Sequence, residues 1–193
     1  YLGLHPDRHI IYCSNTAAQA EKPSVAVRSI ITDSRVYRQI FPGIGADYRA
    51  GWSHDQWFLK RADVGDKDAS FLATGIFGPI LGARGDLIII DDPMDQENSS
   101  THYMRQKSWD WIATTLFSRR SDLPGRRTRT VAILTRWHAE DVGGHLKQLG
   151  FRTIEMPVED EEGVRMWPDK YTDEVLERAR LAEPRRFQGM YMA

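Results

Sequence analysis

"GDLIIIDDPMDQ", residues 85–96, is the stretch on which the reading of this chain turns. Four apolar residues, Leu87 to Ile90, run straight into Asp91, Asp92 and Pro93. A short, wholly apolar run of this kind predicts a strand covered on both faces, as in a parallel sheet. Two adjacent carboxylates at its end repel each other and call for a counter-charge. Mg²⁺ with a bound phosphate is a common one. In nucleotide hydrolases the first such carboxylate orders the Mg²⁺ shell, and the next orients or deprotonates the attacking water. The plainer alternative has one Asp capping the following turn and the other solvated.

Outward from this stretch, strands alternate with helices. "HIIYCSN" (9–15) and "TVAILT" (130–135) read as buried strands that end on polar residues. "QWFLKRA" (56–62) and "ASFLATGIFG" (69–78) read as strands of a hairpin across "DVGDKD", and "FRTIEMP" (151–157) as a further strand. Helices are predicted over 16–34 with a kink or restart at Pro23, over 99–120 with Asn98 or Ser99 as its cap, over 139–150 with Gly150 closing it, and over 172–182. The expected fold class is α/β, a mostly parallel sheet with helices on both faces. Ligands of such sheets bind beyond the carboxyl ends of the strands. Parallel strands would therefore bring Ser14 and Asn15, Asp91 and Asp92, and Thr135, Arg136 and His138 to one edge.

In "ILTRWHAED" (133–141), a hydroxyl followed by Arg at a strand end suits a γ-phosphate sensor. The alternative keeps Thr135 as a turn cap, Arg136 paired with a surface carboxylate, Trp137 in the core and His138 in a loop. Arg119, Arg120, Arg126, Arg127 and Arg129 form a basic turn that could meet a phosphate backbone, although solvated charge is the commoner explanation. Trp109, Trp111 and Phe117 suit helix packing better than base stacking. "GIFGPILGARGD" (75–86) lacks the Gly-Lys-Ser/Thr ending of a phosphate loop, and no such ending occurs in the chain. Its glycines suit a hairpin or a close backbone approach.

The 193 residues suffice for a sizeable core, and 41% hydrophobic with 27% charged residues is ordinary for a globular protein. No apolar run reaches membrane-spanning length. The single cysteine, Cys13, cannot staple the chain, which favours a reducing, cytoplasmic setting. The net charge of −1 decides nothing about nucleic acid. "Asn98-Ser99-Ser100" reads as a helix start rather than a glycosylation site. The opening "YLGLHPDRHIIYC" reads as the tail of a helix begun upstream, so the chain is expected to be a fragment.

Taken together, "HPDRHIIYCSNTAAQAEKPSVAVRSIITDSRVYRQIFP", "GDLIIIDDP", "SWDWIATTLFSRR", "VAILTRWHAEDVGGHL" and "EPRRFQGMYM" resemble, in order, the ATPase domain of the large terminase subunit, the DNA-packaging motor of tailed bacteriophages and prophages. The resemblance implies a P-loop NTPase-like core, with residues 1–193 a partial motor domain and 151–193 its C-terminal part, leading toward a nuclease domain that is not present. It implies Asp91 as the Walker B residue that orders Mg²⁺, Asp92 as the catalytic carboxylate and second metal-site residue, and Thr135 as the nucleotide-coupling residue with Arg136 beside it. Glu97 would be the next candidate base, and the Ser118–Arg119 pair matches a segment without an assigned role. ATP is the implied substrate. The implied partners are double-stranded DNA, a portal protein, a small terminase subunit and further copies in a ring, in the host cytoplasm and without a membrane. The Walker A strand is expected between the Walker B strand and the coupling strand, and is missing with its loop. Two other readings compete. One is a non-catalytic prophage remnant or assembly module. The other, weaker, is a metal-dependent nuclease built on Asp91 and Asp92.

Overall fold

The computed structural model describes residues 1–63, 65–122, 127–160, 162–182, 184 and 187. They form two compact units, Tyr1–Pro93 with Lys107–Leu134, and Met94–Gln106 with Thr135–Ala193.

The first unit carries a five-stranded mixed sheet. Its strands are β1 (Ile10–Ser14), β2 (Gln56–Trp57), β3 (Phe71–Gly75), β4 (Leu87–Asp91) and β5 (Arg129–Ile133), in the order β2-β3-β1-β4-β5. β1 pairs in parallel with β3 and β4, β4 pairs in parallel with β5, and only β2 runs antiparallel, against β3. The fold is α/β with a mostly parallel sheet, as the alternation of strands and helices predicts.

Helix α1 (Ala17–Asp33) follows β1, with the Thr16 hydroxyl accepting from the Gln19 N–H at 3.2 Å. It continues through Pro23 without a restart, and α2 (Arg35–Ile40) follows from the Ser34 cap. Side chains alternate across a strand. Ile10, Phe71 and Ala73 therefore share one face of the sheet, where they join a core with Ala20 and Ile31 of α1 and with Trp57. Trp57 stacks on Phe71 at 5.1 Å and donates its indole N–H to Ser24 Oγ at 3.0 Å. On the other face Ile11, Cys13, Ile88 and Ile90 are buried as well. A sheet closed to water on both faces explains the unbroken apolar run of β4.

Several expectations are corrected. β5 is an edge strand, with Val131 48% and Ile133 58% exposed, so "TVAILT" is apolar without being buried. β4 and β5 pair directly, Leu87 with Arg129 through Asp91 with Ile133, and no strand lies between them. A missing Walker A strand therefore has no gap there. A short separate helix, α3 (Gln96–Ser99), precedes the expected long one, which runs without a gap from His102 to Arg119: α4 (His102–Asp110) passes into a wide π-type stretch over Trp111–Leu116 and a 3₁₀ turn over Phe117–Arg119. Neither Asn98 nor Ser99 caps it. Asp95 caps α3 in a reciprocal box with Asn98, and Thr101 Oγ1 accepts from the Met104 N–H. Trp109 packs edge-on against Phe117, as a packing role predicts.

The second unit holds α3, α5 (Val142–Gln148) and α6 (Asp173–Ala182), with a small cluster of Val158, Leu176 and Phe187. "FRTIEMP" forms no strand, and its Ile154 and Met156 are exposed. Gly150 closes α5 at φ +81°, as expected.

Candidate functional site

β1, β3, β4 and β5 are parallel, so their carboxyl ends share one edge of the first unit. Asp91 closes β4, an interior strand. It follows Leu87 and Ile89 on the face that carries Tyr12 of β1. The Tyr12 phenol donates to Asp91 Oδ2 in a short hydrogen bond. Asp91 Oδ1 has no hydrogen-bond partner among the described residues, and the residue is half-buried. Asp92 is exposed. Its N–H extends the ladder to the Ile133 carbonyl at 2.9 Å, and its backbone lies in the left-handed region at φ 40°. The only other non-glycine residue there among those described is Phe77, at φ 66°, two residues past β3. Strained residues of this kind cluster at functional edges. The two carboxylates stand at successive positions, and the charges of both reach Tyr12.

The same edge explains Gly75. A Cβ on it would lie 2.6 Å from the Ala17 nitrogen, so the end of β3 approaches the start of α1 as only glycine allows. This is the close backbone approach that the glycines of 75–86 suggest. Tyr12 itself is held far above its ordinary ionisation range, first by burial, then by its hydrogen bond to Asp91 and by the charges of Asp91 and Asp92.

Thr135 and Arg136 belong to the second unit. Arg136 is not free to swing. Its Nε donates to both oxygens of Asp141, 3.1 Å each, and its Nη2 to the His138 carbonyl. Asp141 is 2% exposed and also accepts from the backbone N–H groups of Trp137, His138 and Gly144. One buried carboxylate thus caps α5 and folds the whole "TRWHAED" turn. The pairing expected with a surface carboxylate is made with a buried one. Gly144 is required there, since a Cβ would fall 1.9 Å from the Ala139 carbonyl oxygen.

The basic turn is less available than its sequence suggests. Arg119 donates to its neighbour Ser118, and Arg120 lies over the Phe117 ring at 4.2 Å. Arg129 is exposed, and Arg126 lies outside the described residues.

A second charged group, not anticipated from the sequence, knits the amino ends of β1, β3 and β4. His9 is buried, with Nδ1 3.1 Å from Asp86 Oδ2 and Nε2 2.8 Å from Asp66 Oδ2. Arg61 and Arg84 bind Asp66, Arg84 and Lys67 bind Asp68, and Arg8 binds Asp86. Asp66 is held below its ordinary range. Burial, the largest single influence, opposes this, but the Asp68 N–H, His9 and Arg61 outweigh it. A cleft of about 360 Å³ opens onto His9, Asp66, Lys67 and Arg84.

His9, Asp66 and Asp68 offer ligand atoms within 4.8 Å of one another and could hold a metal ion. Among the described residues no other group of three His, Cys, Asp or Glu does so, and Asp91 and Asp92 gain no third ligand of that kind. The protein's own cations already occupy the Asp66 and Asp68 oxygens, so an ion would have to compete with Arg61, Lys67 and Arg84. The local signal was only the spacing of "DVGDKD", because the partners His9 and Asp86 are far away in the chain. No helix among the described residues is long and apolar enough to cross a membrane. No known protein-family model and no curated protein sequence matches the chain.

Proposed function

We propose that this chain is part of the ATPase domain of a large terminase subunit, a motor that hydrolyses ATP with Mg²⁺ to drive double-stranded DNA into a procapsid. The observation that carries the reading is the end of β4. Asp91 and Asp92 close an interior parallel strand at the carboxyl edge, which is where nucleotide-binding α/β sheets place their ligands. Asp91, with Oδ1 open, is the Mg²⁺ ligand in this reading. Asp92, exposed on its strained turn, is the group that orients the attacking water. Thr135 is the coupling residue, and Arg136 acts after release from Asp141.

A phosphate cradle has to come from outside these 193 residues. The outer edge of β5, which has no strand partner among the described residues and carries exposed Val131 and Ile133, is where a further strand would join. The partners in this reading are DNA, a portal protein, a small terminase subunit and further copies in a ring. The non-catalytic module is the second reading, favoured by the lack of a Gly-Lys-Ser/Thr run in the sequence. The nuclease reading loses ground, because two-metal sites need more carboxylates than Asp91 and Asp92 provide. Parallel ATPase and nuclease assays separate the three. The motor reading predicts ATP turnover only when a phosphate loop is supplied, and metal-dependent DNA cleavage by the chain alone would overturn it.

A further inference from the structure

We propose that Phe77, braced by Trp111 and flanked by Lys107, is a stacking platform for an unpaired nucleobase. Neither Asp91 nor Asp92 takes part, so this site goes beyond the ATPase reading and does not depend on it.

Phe77 stands two residues past β3, at the carboxyl edge of the sheet, where α/β folds place their ligands. It is the third residue of a tight turn, in which the Gly78 N–H donates to the Gly75 carbonyl at 2.9 Å. Its φ of 66°, with no positive φ at Ile76, gives the turn a type II form, which favours glycine at that position. For a bulky side chain this conformation is an outlier that costs stability. Burial does not account for it, since Phe77 stays 41% exposed beside the buried Ile76. The turn is also fixed on the strand end: a Cβ on Gly78 would fall 2.2 Å from Thr74 Oγ1.

Trp111 meets the Phe77 ring edge-on at 6.1 Å. It opens the π-type stretch of the long helix, and such stretches are rare elsewhere and frequent at functional sites. Two backbone irregularities thus converge on one aromatic contact. Lys107 lies one turn ahead of Trp111, with Nζ 5.1 Å from the centre of the Phe77 ring. All three residues belong to the first unit.

Lys107 has no carboxylate partner among the described residues, so its charge is available to a ligand. A cationic ligand would be repelled by it, and an apolar one would bury it unpaired. A base brings a flat π-face for the ring and, through its sugar, a phosphate for Lys107. Every base has such a face, so the stacking tolerates any sequence. A single strand and a free nucleotide share this chemistry.

The test titrates the 193-residue chain against a fluorescein-labelled oligodeoxyadenylate, read by anisotropy, and against an abasic strand of equal length. The base-bearing strand should bind roughly tenfold tighter than the abasic one, and Phe77→Ala should remove that difference. Lys107→Met should weaken both strands alike and lessen their salt dependence. Saturation-transfer NMR with adenosine monophosphate separates the two sources. A base signal lost in Phe77→Ala, without a gain for the base-bearing strand, assigns a free nucleotide; the gain assigns a single strand. Equal binding of the two strands together with no Phe77-dependent nucleotide signal overturns the proposal. Phe77→Gly relieves the turn, so it should lose the base while unfolding no earlier than wild type. A midpoint well below wild type would make the ring a packing group and overturn the proposal.

Discussion

Asp91 of β4 and Ile133 of β5 are direct neighbours in one parallel ladder, which the Asp92 N–H extends to the Ile133 carbonyl. The edge beyond β5 is thereby left open, with Ile133 58% exposed. Ile133→Lys should therefore change the stability of this chain by no more than about 0.5 kcal/mol, as for an ordinary surface site. In a longer protein that lays a further strand on β5, the same change should cost about 1.5–3 kcal/mol, the burial free energy of such a side chain. Denaturant unfolding of both forms checks this, and equal costs would argue against a strand at β5.

Asp141→Ala should destabilise the second unit. Loss of the N-cap alone costs about 0.5–2 kcal/mol, and the change also strips Arg136 and two further backbone N–H groups of their acceptor. Asp141→Asn should cost less, since it keeps an acceptor for α5. Thermal unfolding ranks the two, and a neutral Asp141→Ala would contradict the described turn.

The cluster at the amino ends of the strands gives a pH signature. Asp66 has a folded value below its ordinary 3.8, so its contribution is present above pH 3.8 and is lost as pH falls through the lower, folded value. Asp66→Asn should flatten the acid limb of the stability curve below about pH 4, where ordinary carboxylates titrate. Urea midpoints from pH 2.5 to 6 measure it, and parallel curves would show that Asp66 is not held by His9 and Arg61.

Cys13 lies inside β1, and burial pushes its thiol up to about 12. The thiolate is the reactive form, so alkylation at pH 8 should be negligible in the folded chain and rapid in urea. Rapid labelling of the folded chain would displace β1 from the centre of the sheet.

How much of this was legible in the sequence depends on whether the signal was local. "IIYCS" and "LIIID" announce buried strands because a run apolar at every position suits a sheet covered on both faces. "RTVAI" carries nearly the same run but ends up at an edge, because strand order is a property of pairing and not of the strand itself. "FRTIEMP" is apolar at Ile154 and Met156 without finding a partner strand among the described residues. The helix over 99–120 was legible by periodicity from His102 onward, but its start was not, because Asn98, Ser99, Ser100 and Thr101 compete for backbone groups and set a separate short α3 ahead of it. The carboxylates after β4 were legible. Their restraint by Tyr12 was not, because 79 residues separate Tyr12 from Asp91. The pairing of His9 with Asp86 was hidden for the same reason.

In the proposed reading, Asp91 and Asp92 serve ATP hydrolysis together with a phosphate loop that another segment supplies. Phosphate release with Mg²⁺ and ATP tests it most directly, on this chain and on a longer protein in which a phosphate loop is joined to it. The chain alone should release no phosphate above background. The longer protein should turn over, Asp91→Asn should weaken its use of Mg²⁺ and nucleotide, and Asp92→Asn should leave ATP binding intact while lowering turnover roughly 10²–10⁴-fold. Turnover by the chain alone that Asp91→Asn abolishes would contradict the account, as would a longer protein whose rate Asp92→Asn leaves unchanged.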